Sequence, residues 1–237
     1  MPAPTSTLLI LGAGGHGRVV ADAALAQGCW VKVRVTDRDP VRVGVELLPG
    51  LRVQPLEAAM AGSAEVHVAI GSAAARAREV QAVGFAASLA HRNPTGAGTD
   101  ALGRVAVSEA NPTVSRQLAT VIHPKASVSP YAELGAGTFI AASAVIAPGA
   151  RVGPGVIVNH GAVVDHDVQV GAFTHIAPRV ALGGGVTVGD RVLVGAGATV
   201  LPGVRIADDV VVGAGAVVRD NLDAAGVYAG VPARRVR

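Results

Sequence analysis

The sequence predicts two domains of different class, an α/β domain at the N-terminus and an all-β prism of six-residue repeats in the C-terminal half. Three observations predict it. An aliphatic residue recurs every six positions from Ile122 to Val218. A glycine-rich turn, Gly12-Ala13-Gly14-Gly15-His16-Gly17, follows a short apolar run. Aromatic residues are only 3% of a chain that is 50% hydrophobic, so Val, Ile, Leu and Ala must fill the core. The expected boundaries are 1–118 for the α/β domain with its linker, 119–222 for the prism and 223–237 for a tail.

In the first domain, Thr7 to Leu11 reads as a buried strand, and a helical run from Arg18 to Gln27 follows the glycines. Val31 to Val35 is a second strand ending at Thr36-Asp37. Val66 to Ile70 is a third, leading through Gly71-Ser72 into an Ala/Arg-rich helix that ends near Val83. Such alternation implies a small Rossmann-like parallel sheet of three to five strands with covering helices. The glycines match G-x-G-x-x-G, and Asp37 stands 20 positions after Gly17. Glycine at such a turn lets backbone N–H groups reach a diphosphate at a helix N-terminus. Three readings are open: a nucleotide-sugar site, a nicotinamide-cofactor site, or a structural turn. On the first, Gly14, Gly15 and His16 cradle the diphosphate, Thr36 and Asp37 lie near the nucleoside, and Gly71 lines the pocket. Residues 84–118, broken by Pro94, Gly96, Gly98 and Pro112, read as a linker.

The second domain rests on its period. Seventeen consecutive positions, Ile122, Val128, Leu134 and onward to Val218, are aliphatic without exception. The residue four further on is small or β-branched, from Ala126 and Ala132 to Ala216. A period of six is not helical, since a helix repeats near 3.6. It fits short strands joined by tight turns, one inward aliphatic per strand and a small residue at each corner. Three hexads close one triangular coil, and coils stack at about 4.8 Å, giving a prism roughly 25 Å tall.

These repeats resemble the hexapeptide-repeat acyltransferases, and that resemblance implies a left-handed parallel β-helix. The period alone does not give the hand, and general crossover rules favour the opposite one. With a G-A-G-G-H-G α/β domain in front, the chain resembles the sialic acid O-acetyltransferase family, which includes N-acetyltransferases of bacterial nucleotide-linked 4-aminosugars. The resemblance implies acetyl-CoA as co-substrate, a nucleotide-sugar as small-molecule substrate, and a homotrimer with its sites in the clefts between prisms.

Candidate chemistry falls on the prism's histidines, His123, His160, His166 and His175. Acyl transfer from a thioester needs a group to take the nucleophile's proton, and histidine suits that at neutral pH. His166 lies in Val163-Val164-Asp165-His166-Asp167-Val168, off the inward register, with Asp167 or Asp165 able to orient its ring. The resembling N-acetyltransferases carry an Asn seven residues before a His that is followed by an acidic residue. That match makes His166 the general base, Asp167 its modulator and Asn159 a polar substrate contact. Two other readings stand beside it. One is a zinc site of the γ-carbonic-anhydrase kind, although the H-x4-H pair is missing here. The other is a solvated surface histidine, the plain reading for His123 and His160.

Gly184 follows His166 by 18 residues, one coil, so it stacks over it. There it can offer an N–H to an oxyanion, or simply fit the corner. The resemblance further assigns His175, Ala196 and Ala214 to the coenzyme, with Arg234 or Arg235 near its phosphates; otherwise Arg234, Arg235 and Arg237 read as a solvated basic end.

Several classes are disfavoured. Net charge is +3 with no cluster of basic residues, which argues against nucleic acid. One cysteine, Cys29, forbids an internal disulfide and fits a reducing cytoplasm. No secretory leader or apolar run of membrane-spanning length is visible. No cysteine lies in the prism, so a cysteine-bound acyl intermediate has no place there and direct transfer in a ternary complex is expected.

Overall fold

The computed structural model describes residues 6–61, 65–83 and 117–237. The N-terminal domain is a mainly parallel sheet. Strand β1 (Thr7–Leu11) lies at its centre, paired with β2 (Lys32–Thr36) on one side. An antiparallel hairpin, β3 (Glu46–Leu48) and β4 (Leu51–Gln54), adds beyond β2. On the other side of β1 come β5 (Glu65–Val68) and β6 (Gln117–Leu118), giving the order β3-β4-β2-β1-β5-β6. Leu8, Leu9 and Ile10 are fully buried, as a central parallel strand covered on both faces requires. Helices α1 (Gly15–Gln27), α2 (Leu56–Met60) and α3 (Ala73–Ala82) cover it.

The predicted strands and helices are present with small shifts of their ends. Six strands replace the expected three to five, because the hairpin lacks a strong alternating pattern and β6 enters from beyond residue 116. Gln117 and Leu118 therefore belong to the sheet. The rest of the expected linker lies outside the described residues.

The second domain is a parallel β-helix. Two-residue strands recur every six residues from Val121–Ile122, with three residues at Val210–Val212. Pairing partners are 18 residues apart, as in Phe139 with Ile157 and Ile157 with His175. Three stacked sheets make three faces: a first holding Phe139, Ile157 and His175, a second holding Val145, Val163 and Ala181, and a third holding Arg151, Gln169 and Thr187. The six-residue aliphatic column points inward and is buried from Ile140 to Val218. The corner residues Ala144, Ala150, Val156 and Ala162 are wholly buried beside it. Each inward Val, Leu or Ile contributes about 1.5–3 kcal/mol of burial.

The C-terminal segment is not a loose tail. Gly226–Ala229 pairs in parallel with Val210–Val212, and Arg234–Arg235 folds back antiparallel on it. Tyr228 closes the end of the core and donates its hydroxyl proton to the Ala224 carbonyl. This is the capping that a stack of repeats needs. The arginine side chains themselves are exposed, Arg234 pairing with Asp220 at 3.2 Å.

Outward residues position the domains. On the first face Val121, Phe139 and Ile157 are at most 1% exposed, because they join the core beneath the α/β sheet with Val20, Ala21 and Ala24 of α1. The Gln27 side chain accepts from the Ile122 N–H at 3.0 Å. One rung higher, His175 is half-buried, and above it Leu193 is exposed. The α/β domain therefore covers the lower coils of one face, and its edge ends at His175.

Candidate active site

The glycine loop divides its labour. A Cβ on Gly17 would stand 2.0 Å from the Gly12 carbonyl oxygen, so only glycine lets α1 pack this tightly on the loop. Gly14 and Gly15 have nothing within 4 Å of where a Cβ would be, and face open space at the N-terminus of α1. Gly14 caps that helix with no side-chain bond, and the N–H groups of Gly15, His16 and Gly17 have no acceptor among the described residues, the arrangement that suits an anion. The loops after β1 and β5 flank the point where the strand order reverses, the usual ligand crevice of such sheets. Gly71, in the second of these loops, is also open.

Thr36 and Asp37 both make hydrogen bonds that hold this loop and its strand in place. Thr36 is fully buried, and its hydroxyl donates to the Gln54 carbonyl at 2.8 Å. Asp37 accepts from the Ala13 N–H at 2.7 Å and the Asp39 N–H at 3.0 Å, with Arg42 at 3.7 Å. Both carboxylate oxygens are thus used within the chain, which is why an acidic residue at this spacing need not mean ribose binding.

Beneath the crevice lies a seam that sequence reading missed. Arg76 of α3 is buried and bonds only to carbonyls: Gly155 at 2.7 Å, Ile70 at 2.6 Å, Gly71 at 3.0 Å, and Phe173. Among the described residues it has no carboxylate partner, and burial pushes its pKa down to about 10. Two of those carbonyls belong to the β-helix, so Arg76 ties the domains together. His67 is buried nearby, and its Nδ1 bonds the Ala119 carbonyl at 2.8 Å. His16 packs edge-on against Phe139 with ring centroids 5.4 Å apart, and lies 6.4 Å from the ring of His175. Burial first, then neighbouring positive charge, pushes His16 down to about 3; burial and Arg76 push His175 down to about 4. Both rings are neutral at any physiological pH. His16 Nε2 is buried without a hydrogen-bond partner among the described residues.

His166 stands at the corner between the second and third faces, exposed to solvent. Its Nδ1 lies 2.9 Å from Asp167 Oδ2, and its N–H donates to Asp165 Oδ1 at 2.7 Å. The Asp167 hydrogen bond first, then the Asp165 charge, raise the pKa of His166. With Nδ1–H donated to Asp167, Nε2 is left as the free base. Asp167 has φ of 61°, a position held by glycine in the coils at 149, 185 and 203. Aspartate is one of the few residues that tolerates it. Ser143, Phe173, Arg179, Arg191 and Asp209 take the same conformation at the equivalent turn of other hexads.

Gly184 lies on the His166 ring as the stacking predicts. A Cβ added to it would stand 2.4 Å from His166 Nε2, while its N–H has no acceptor among the described residues. Gly184→Ala is expected to push the exposed ring aside. Turnover should fall by about 10–100-fold, the scale of an ångström's misplacement, with the melting temperature nearly unchanged; parallel kinetic and thermal measurements check this.

Asn159 does not meet His166 within one chain. It sits at the other end of the second face, at the corner between the first and second faces, next to His160, whose column one residue along carries Ala196 and Ala214. Its Oδ1 accepts from the His160 N–H and faces His160 Nδ1, both at 2.8 Å, while Nδ2 lies 3.3 Å from His175 Nε2. Ala196 and Ala214 are exposed on that corner above His160. His123 is a local cap, accepting from the Lys125 N–H at 3.0 Å. Among the described residues no three His, Cys, Asp or Glu side chains group as metal ligands, and no helix is long and apolar enough to cross a membrane. The predicted residues of the β-helix thus fall on the two corners that flank the second face.

Comparison with known proteins bears on both domains. The family model for the PglD N-terminal domain matches residues 7–83, and the bacterial transferase hexapeptide model matches 167–201 and 185–220. No curated protein matches by sequence. Among solved structures, the chain is 30% identical to the acetyltransferase domain of PglB from Neisseria gonorrhoeae, covering 98% of this chain and 100% of that one, with a TM-score of 0.78. It is 32% identical to perosamine N-acetyltransferase from Caulobacter crescentus, solved as a His→Asn variant with CoA and GDP-perosamine, over 99% of each chain and with a TM-score of 0.78. WeeI from Acinetobacter baumannii, at 18% identity and a TM-score of 0.58, shares the fold.

Proposed function

We propose that this chain, which belongs to the hexapeptide-repeat acyltransferases with a PglD-type α/β domain and a left-handed β-helix, N-acetylates a nucleotide-linked aminosugar. It is an acetyl-CoA-dependent acyltransferase. The observation that carries the finer reading is the full-length likeness, at 32% identity, to an enzyme whose structure holds CoA and GDP-perosamine, joined to the His166–Asp167–Gly184 arrangement. The diphosphate would rest on the free N–H groups at Gly14, Gly15 and His16. Gly71 and His175 would border the sugar and the coenzyme's acyl end.

The chemistry follows from the corner. His166 Nε2 takes a proton from the attacking amine as the C–N bond forms, and the Asp167 carboxylate stabilises the charge on the ring. The Gly184 N–H is the candidate donor to the oxygen that gains charge. The C–S bond then breaks, and the sulfur leaves with the proton that His166 held.

This assignment calls for a homotrimer. The second face carries a mostly apolar outward column, Val145, Val163, Ala181 and Val217, whereas the third carries Glu133, Arg151, Gln169 and Arg205. If the second face turns toward a threefold axis, the Asn159–Ala196–Ala214 corner of one prism meets the His166–Gly184 corner of the next. Each site would then combine one half from each of two copies.

The test is thiol release from acetyl-CoA with UDP-, dTDP- and GDP-linked 4-aminosugars, with free sialic acid as control. Rapid release with one aminosugar nucleotide is expected. Release with sialic acid alone would replace N-acetylation by O-acetylation, and silence from all four would reject the reading.

A further inference from the structure

The side chains between the domains form a directed hydrogen-bond chain that ends on an exposed histidine. Its direction follows from donor and acceptor chemistry. The His160 N–H can only donate, so the Asn159 atom it meets at 2.8 Å is the carbonyl oxygen, and the NH2 group must face His175. Since Asn159 Nδ2 donates, His175 Nε2 is an acceptor, and the proton of the neutral ring sits on Nδ1. The same Asn159 oxygen lies 2.8 Å from His160 Nδ1, so that nitrogen is the donor. His160 is thereby held in one orientation and one tautomer, and its Nε2 has no hydrogen-bond partner among the described residues. The chain runs from His175 through Asn159 to His160 at the prism corner.

We propose that His160 reads the sugar of the nucleotide-linked substrate, accepting a hydrogen bond at Nε2 from a sugar hydroxyl or amine; this rests on the substrate class proposed above. Its placement supports this. Asn159 and His175 connect it to His16, whose ring lies 6.4 Å from that of His175 and whose helix N-terminus is the diphosphate cradle. A sugar attached to a diphosphate there lies beside the Gly71 loop and the corner of His160. The residue is exposed, so a merely structural histidine would gain little from a fixed tautomer. Asn159, with its oxygen fully used within the chain, is a positioning residue for His160 in place of the direct substrate contact expected from sequence.

The experiment compares calorimetric binding by the full-length wild type, His160→Ala, His160→Gln and Asn159→Ala. The probes are the aminosugar nucleotide that gives thiol release, the matching nucleoside diphosphate, and CoA. His160→Ala should weaken the aminosugar nucleotide by about three- to tenfold, the worth of one neutral hydrogen bond, and leave the nucleoside diphosphate and CoA unchanged. His160→Gln, which retains an acceptor, should recover part of the loss, and Asn159→Ala should show the same sugar-selective loss. Equal binding of the aminosugar nucleotide by wild type and His160→Ala overturns the proposal while leaving the substrate class intact. So does equal weakening of the nucleoside diphosphate, or a loss confined to CoA. If the wild type gives no release and binds none of the nucleotides, the substrate class falls and this inference with it.

Discussion

Replacing His166 with alanine is expected to lower kcat by about 10²–10⁴-fold, the usual contribution of a positioned base. The side chain is exposed and anchors only Asp167, so the thermal transition should stay near that of the wild type. Retention of more than about a tenth of the activity would remove His166 from the role of base. The pH profile gives an independent reading. The base must be neutral to act, and Asp167 and Asp165 raise its pKa above the ordinary 6.5. Turnover is therefore lost as pH falls through the raised value, so the acidic limb of kcat/KM should lie above the normal imidazole range. In Asp167→Asn, which keeps a side chain tolerant of positive φ, the main cause of the rise is gone. Its limb should move to lower pH. A limb that stays put would mean that another group titrates.

The second large effect concerns stability. Arg76→Met is expected to destabilise the chain by about 2–4 kcal/mol, read as a lower urea midpoint. The sign is a contest between two terms. Burying a guanidinium without a carboxylate is costly, as its pKa of about 10 records, and an apolar replacement relieves that cost. Against it, the carbonyls of Ile70, Gly71, Gly155 and Phe173 lose their donor. Buried acceptors left unpaired cost about 1–3 kcal/mol each, less where water can enter. Several such groups outweigh the relief. A variant as stable as the wild type would show that these carbonyls are not sealed from solvent, and that the domains are held mainly by Phe139 and Ile157.

The β-helix was legible because its signal repeats: each inward aliphatic is dictated by the same local geometry, and seventeen agreeing positions leave little alternative. The stacking of Gly184 on His166 followed from the same arithmetic. What arithmetic along one chain did not reveal was which residues share a corner. Asn159 and His166 are close in sequence yet stand at opposite ends of a face, because the intervening Val163–Val164 strand carries the chain across it. Thr36 and Asp37 fitted a fingerprint whose physical content, an acidic group near a glycine loop, is satisfied equally by holding the loop together. Arg76 was hidden in an Ala/Arg-rich helix, where arginine ordinarily points to solvent. Its burial depends on carbonyls 79 and 97 residues away. A usable hint did exist, since Phe139 and Ile157 occupy outward positions of the hexads, where large apolar groups need a cover. His160 carried no comparable sign; only the bonds of Asn159 distinguish it from a solvated surface residue.

The docking of the α/β domain on the lower coils turns the β-helix into a measuring rod. Its graduations are 18 residues in sequence and about 4.8 Å in height, and the zero mark is where Phe139 and Ile157 meet α1. His175 stands one graduation above Ile157, level with the end of the covering domain. Length changes at the turns bulge outward and leave these heights alone. Removing or adding a whole coil between Ile157 and Gly184 would instead slide the two corners past the docked domain by a full graduation, however well every core position were kept. Spacing along this chain is therefore constrained by distance, separately from the constraint that packing places on residue type.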